Sequence, residues 1–184
     1  MKLFVFDKYS IIILALILVF TACMIPIGMS GAVSTAGKTT KEVPIYAVKT
    51  EEKKIAVTFD CAWNADDIDQ VIEVLAQNNC KATFFVVGDW TDKFPEAVKK
   101  LAAAGHEIAN HSDKHDHFNQ LSKEQMIADM TKCDEKIKAL TGQQEVLFRA
   151  PYGEYNDTLV TTCRETGRFI IQWDVDSLET KLKK

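Results

Sequence analysis

Residues 81–110 read KATFFVVGDWTDKFPEAVKKLAAAGHEIAN, and this stretch decides the fold class. Residues 81–87 form a short run rich in aromatic and β-branched side chains, the pattern of a buried strand, and Gly88 ends it. Residues 94–104 have helical spacing, and Gly105 stands where a helix takes a left-handed C-terminal residue. Residues 106–109 return to a short strand. A strand, a helix and a second strand within thirty residues predict a βαβ unit, hence parallel strands joined by a right-handed crossover.

The same alternation continues on both sides. Upstream, residues 55–59 predict a strand, and Asn64 or Asp66 is placed to cap a helix whose apolar positions are Ile68, Val71, Ile72 and Leu75. Downstream, Ser122-Lys-Glu-Gln125 is a capping-box pattern. In the helix it opens, Met126, Met130, Cys133, Ile137 and Leu140 share one stripe, and Gly142 ends it. Residues 146–148 predict a fourth strand, 157–165 another helix and 169–173 a fifth strand. The expected class is α/β, either an open doubly wound sheet or a barrel. Both gather ligands at the C-terminal ends of their strands. Polar residues do follow the strands: Asp60 the first, Asn110 and His111 the third, Arg149 the fourth, Asp174 and Asp176 the fifth.

Composition sets wider bounds. The chain has 184 residues, 47% hydrophobic and 26% charged, with net charge −4, enough for one ordinary domain. No basic run follows the N-terminal segment, which argues against a nucleic-acid partner. Residues 10–37 carry no charge, and 11–20 are wholly apolar. They read as a signal peptide cleaved after Ala36 or as an uncleaved membrane anchor; a lipid-modified Cys23 is a third reading. All three export the domain, so its expected location is extracytoplasmic. Residues 38–52 read as a linker. The five cysteines are odd in number and lack a C-x-x-C spacing; Cys80 and Cys133 read as small buried hydrophobes.

His111-Ser-Asp-Lys-His115 sets two imidazoles four residues apart, which share one face of a helical turn and suit a single metal ion. The plainer reading is a polar loop with solvated histidines. Asp60 is either a third ligating or catalytic carboxylate or a turn aspartate, and Arg149 either its partner or a surface ion pair.

Taken together, Thr58-Phe59-Asp60, Lys81-Ala-Thr-Phe-Phe85, Gly105-His-Glu-Ile108, His111-x-x-x-His115 and Arg149-x-Pro151-Tyr152 resemble the NodB-homology polysaccharide deacetylases, carbohydrate esterase family four. The likeness spans about residues 53–178. Phe59-Asp-Cys-Ala-Trp-Asn64 and Trp173-Asp-Val-Asp-Ser177 are similar to the sporulation-associated bacterial branch. The resemblance implies a distorted (β/α) barrel and hydrolysis of N-acetyl groups on a cell-wall glycan such as peptidoglycan, by a monomer. It implies a divalent metal, zinc by preference, on His111 and His115. Asp60 becomes the general base toward a water, Arg149 its orienting partner, and the Tyr152 backbone N–H an oxyanion donor. Trp173, Asp176 and Glu179 fall at substrate-side or auxiliary positions.

Three departures qualify this. Cys61 stands where the family commonly has a metal-binding aspartate; it is a thiolate ligand, or a small space-filler with Asp66, Asp67 or a further water completing the shell. The segment Asp176-Ser-Leu-Glu179-Thr180 has Glu179 for a second aspartate and lacks the family's groove tryptophan. The sequence ends at Lys184, ahead of the family's last strand and its L-H motif, so the barrel is expected to be incomplete at its C-terminus and the general-acid histidine absent. The rival expectations are a non-catalytic glycan-binding pseudoenzyme and a truncated fragment without function.

Overall fold

The computed structural model of the chain describes residues 42–177. Residues 1–37, expected to be a leader or anchor and containing Cys23, lie outside those residues, as does Glu179. Among the described residues, no helix is long and apolar enough to cross a membrane.

The elements follow the alternation in the sequence: β1 (Val57–Cys61), α1 (Ile68–Gln77), β2 (Ala82–Val86), α2 (Gly88–Lys93), α3 (Pro95–Ala103), β3 (Glu107–Asn110), α4 (Lys123–Thr141), β4 (Leu147–Phe148), α5 (Asp157–Glu165) and β5 (Phe169–Ile170). All strands are parallel and stand in the order β1-β2-β3-β4-β5. A doubly wound sheet reverses its order at a switch point. A sequential order without reversal is the wall of a (β/α) barrel, so the choice left open by the sequence falls to the barrel.

Several boundaries differ from the sequence reading, each for a physical reason. The first strand lies two residues later than expected, because Asp60 and Cys61 stay in register with Phe85 and Val86. Gly88 opens a helix rather than merely ending a strand. Phe94 then leaves the helical region (φ −128°, ψ 53°), and Pro95 starts α3. Proline disfavours helical backbone at the residue before it, so α2, which the sequence did not lead one to expect, stops there and the expected helix starts at Pro95 as α3. Helix α1 has Asp67 at its N-cap with no side-chain bond, in place of Asn64 or Asp66. The Ser122 capping box forms as expected. Part of the expected linker is attached to the sheet. Ile45 N–H donates to the Ile170 carbonyl (2.9 Å) and the Ile45 carbonyl accepts from Gln172 N–H (2.8 Å), which covers the outer edge of β5.

Strand alternation sorts the side chains. Phe84, Val86 and Ile108 face the helices and pack with Val98, Leu101, Cys133 and Ile137. A second cluster joins Met126 and Met130 of α4 to Phe148, Leu159, Cys163 and Ile170. Helix α4 therefore bridges both clusters, and burial of each such side chain stabilises by about 1.5–3 kcal/mol. Cys61, Cys80, Cys133 and Cys163 are all free thiols.

Glu145, buried between α4 and β4, is the least comfortable charge in the fold. Burial, with Glu107 and Asp134 nearby, pushes its carboxyl up to about 7. A raised folded-state value means stability is full below the ordinary carboxyl range and declines as pH rises through about 7. Glu145→Gln should remove that decline. The expected gain is about 1–3 kcal/mol at pH ~8 and little at pH ~4. Denaturant melts at the two pH values check it; an equal gain at both would contradict the assignment.

Candidate active site

The polar residues singled out by the sequence meet at the C-terminal rim of the strands. Arg149, just past β4, is 3% exposed, and its Nη1 donates to Asp60 Oδ1 at 2.7 Å. The guanidinium lies over the Phe85 ring (4.0 Å to the centroid) and near Trp173 (5.5 Å). Its Nη2 donates to the Gln172 carbonyl at 3.4 Å. Two aromatic faces and a carbonyl thus fix the cation, and the cation fixes Asp60.

His111 is held as firmly. Its backbone N–H donates to the Val86 carbonyl (2.9 Å), and its ring Nδ1 lies 2.8 Å from the Arg149 carbonyl. A carbonyl only accepts, so Nδ1 carries the proton and Nε2 presents its lone pair. That Nε2 is 3.8 Å from Asp60 Oδ2. The His115 ring meets the His111 ring edge-on, centroids 5.1 Å apart. Burial lowers the basicity of both rings, His115 to about 4, with the His111 charge adding to the effect. Both imidazoles are therefore neutral near pH 7.

The histidine pair does not sit on a helical turn. Residues 112–115 form a loop in which Ser112 (φ 72°) and His115 (φ 59°) are left-handed. The conformation is secured by its neighbours. Asn110 Oδ1 accepts from Ser112 N–H (2.8 Å), and Ser112 Oγ accepts from His115 N–H (2.7 Å). The Asp129 carboxylate accepts from the N–H groups of Asp113 (2.7 Å) and Lys114 (3.3 Å). Asp113, itself buried, pairs with Lys132 (2.9 Å) and Lys136. Sequence reasoning missed Ser112 and Asp129. The signal for Asp129 was its place among Met126, Met130 and Cys133, a charge beside an apolar stripe.

Cys61 is not placed as a ligand. It is adjacent to Asp60 on a strand, so its side chain takes the opposite face and joins the core with Ile68 and Trp90. Burial first, then the Asp60 and Asp67 charges, push its thiol up to about 12. The space-filling alternative matches its surroundings. Among the described residues, no group of three or more His, Cys, Asp and Glu side chains is gathered to hold a metal ion.

Tyr152 is left-handed (φ 59°, ψ 6°) and half exposed. Its ring meets His115 edge-on at 4.7 Å and stacks on His117 at 4.2 Å, while His117 Nδ1 lies 3.1 Å from Glu154 Oε2. Gly153 (φ 66°) faces Trp173 so closely that an added Cβ would lie 2.7 Å from the indole. Trp173 is thus part of the site's wall. Asp176 lies beyond β5 and is exposed. His106 is buried in the fold, where its Nδ1 accepts from Ala82 N–H (3.4 Å).

As chemistry, the rim offers two neutral imidazole donors beside a carboxylate clamped by a buried arginine. Two imidazoles are a donor set that suits a borderline divalent cation such as zinc, and the His111 ring is oriented through its other nitrogen by the Arg149 carbonyl, as metal-binding histidines commonly are. The residues present fit such an ion, with two protein ligands rather than three.

Residues 47–169 match the family model described as polysaccharide deacetylase. The chain is 32% identical over 128 residues to a peptidoglycan-N-acetylglucosamine deacetylase of Bacillus cereus, covering 70% of this chain and 46% of that protein. Among solved structures it is similar to a family 4 carbohydrate esterase from Bacillus anthracis (28% identity, TM-score 0.69, 72% of this chain and 64% of that one). It is also similar to a pseudoenzyme of the same family from Bacillus anthracis (28% identity, TM-score 0.73, 77% and 50%). The chain spans about half the length of the curated relatives it matches.

Proposed function

We propose, from the premise that this chain belongs to the polysaccharide deacetylase family, that it is a metal-dependent hydrolase removing N-acetyl groups from a cell-wall glycan such as peptidoglycan. The single observation that carries the reading is the Arg149–Asp60 pair set 3.8 Å from the outward ring nitrogen of His111.

In this reading His111 and His115 hold the divalent ion. When bound, the ion supplies Lewis acidity to the acetamide carbonyl and acidity to a water. Asp60 accepts the proton of the attacking water as general base, and as the carbonyl carbon–nitrogen bond breaks the departing amine takes up a proton from Asp60 or from solvent, which leaves acetate and the free amine. Arg149 holds Asp60 by one oxygen and leaves the other turned toward His111, so the base is aimed before substrate arrives. The left-handed turn at Tyr152 presents its backbone N–H to the oxyanion that develops on the carbonyl. Trp173 walls the site behind Arg149. The domain takes in the later part of the 38–52 segment, where Ile45 joins the sheet beside β5, and residues 1–37 export it as a leader or an anchor.

A second reading has specific support. The placement of Cys61 in the core leaves two imidazoles as the protein ligands, and a family pseudoenzyme is among the similar structures. A glycan-binding protein without hydrolysis would keep the cleft and lose the ion.

Calorimetric titration with Zn²⁺ separates the two. The wild-type chain should bind one ion, and His111→Ala or His115→Ala should weaken binding by more than about 100-fold, beyond the loss typical of a second-shell change. Chelation should stop acetate release and added Zn²⁺ should restore it. Binding that is indifferent to both histidines would contradict the assigned ligands.

A further inference from the structure

Trp63 is 75% exposed, an unusual state for the largest apolar side chain, and it stands beside the site. Its ring meets the His115 ring in a T-shaped contact at 5.9 Å, and most of the indole surface stays open. The loop that carries it is not slack. On one side Cys61 is buried and its carbonyl accepts from Val87 N–H (3.1 Å). On the other, the Asn64 carbonyl accepts from the indole N–H of the buried Trp90 (2.9 Å), and Asn64 Nδ2 donates to Asp66 Oδ2 (3.3 Å). A loop anchored at both ends displays a bare indole next to the histidine pair. Tyr152, 54% exposed, borders the same His115 ring.

Trp63 and Tyr152 together make an exposed aromatic surface around His115 that a ligand with an apolar face can cover. We propose that Trp63 is a substrate-positioning residue whose indole face stacks on a pyranose ring of the glycan, next to the sugar whose acetamido group reaches Asp60 and His111. A sugar ring supplies what this surface lacks, an apolar C–H face for the indole and hydroxyls at its rim for water. The inference rests on the hydrolase reading for the identity of the chain being bound. It adds that at least two sugars are held, so an oligomer is preferred over a single N-acetylglucosamine.

The test compares wild type, Trp63→Ala and Trp63→Phe, using the N-acetylglucosamine tetramer for both equilibrium binding and acetate release. Near-UV circular dichroism first shows that each chain is folded, which an exposed position permits. Aromatic anchors at interfaces are worth enough that truncation should raise Kd and KM by about tenfold or more. The kcat should change little, because stacking on a neighbouring sugar is the same in ground and transition states. Trp63→Phe should recover most of the affinity. Unchanged Kd in Trp63→Ala, or a loss confined to kcat, would overturn the proposal. Acetate release with a Trp63-independent KM sinks stacking and leaves hydrolysis standing. Trp63-dependent binding without acetate release does the reverse.

Discussion

Asp60→Asn is expected to lower acetate release by about 10²–10⁴-fold, the range for a positioned general base, with the fold and Zn²⁺ affinity retained. Asparagine keeps the size and the oxygen that accepts from Arg149 Nη1, but it cannot take a proton from water. The Arg149 side chain is 3% exposed, so losing the Asp60 charge leaves a buried guanidinium facing a neutral acceptor and lowers stability to some extent. The guanidinium keeps Phe85, Trp173 and the Gln172 carbonyl. The loss in kcat, read on the folded chain, should therefore far exceed anything the shift in the melting curve accounts for. A folded variant with wild-type turnover would remove Asp60 from the mechanism.

Asp134→Ala is expected to cost about 3–5 kcal/mol of stability, the scale for breaking a buried pair and leaving one charge behind. Arg168 donates to Asp134 Oδ2 through Nη2 (2.6 Å) and Nε (3.2 Å), and both side chains are nearly buried. Asp134 Oδ1 accepts from Asn110 Nδ2 at 2.5 Å. Alanine leaves the guanidinium without its carboxylate and the Asn110 amide with the Met130 carbonyl alone. The effect should reach the site. The opposite end of the same amide, Asn110 Oδ1, fixes Ser112 and through it the loop between the two histidines. Denaturant unfolding and a Zn²⁺ titration on the surviving folded fraction check the two consequences together. A loss below about 1 kcal/mol, the range of surface pairs, would mean that Asp134 carries no such weight.

Much of this architecture was legible in the residues, for identifiable reasons. Helix α5 follows its expected span because Asn156 caps it and its apolar positions keep one period. Helix α4 begins where Ser122 and Gln125 announced it. The residues brought together at the rim, Asp60, His111, His115 and Arg149, could be named because parallel strands deliver their C-terminal ends to one edge. What could not be read was tertiary in origin. The polar sequence of α2 has no helical stripe, and the helix is held by tertiary contacts: the N–H groups of Gly88 and Asp89 donate to the Ser112 and Asp113 carbonyls (2.9 and 3.0 Å), and Trp90 is buried. The left-handed Ser112 and His115 carry no glycine to signal them. Their conformation comes from Asn110 and Asp129, which are distant or ambiguous in sequence. The attachment of Ile45 to β5 joins segments more than a hundred residues apart, which no local pattern encodes.

The most direct test of the account is to incubate the Zn²⁺-loaded chain with the N-acetylglucosamine tetramer and count acetate and new primary amine in parallel. Hydrolysis of an acetamide at the Asp60–His111–His115 site predicts the two products in equal amounts, both abolished by chelation and both strongly reduced in Asp60→Asn. A folded, Zn²⁺-loaded chain that binds the tetramer and returns it fully acetylated would contradict the account.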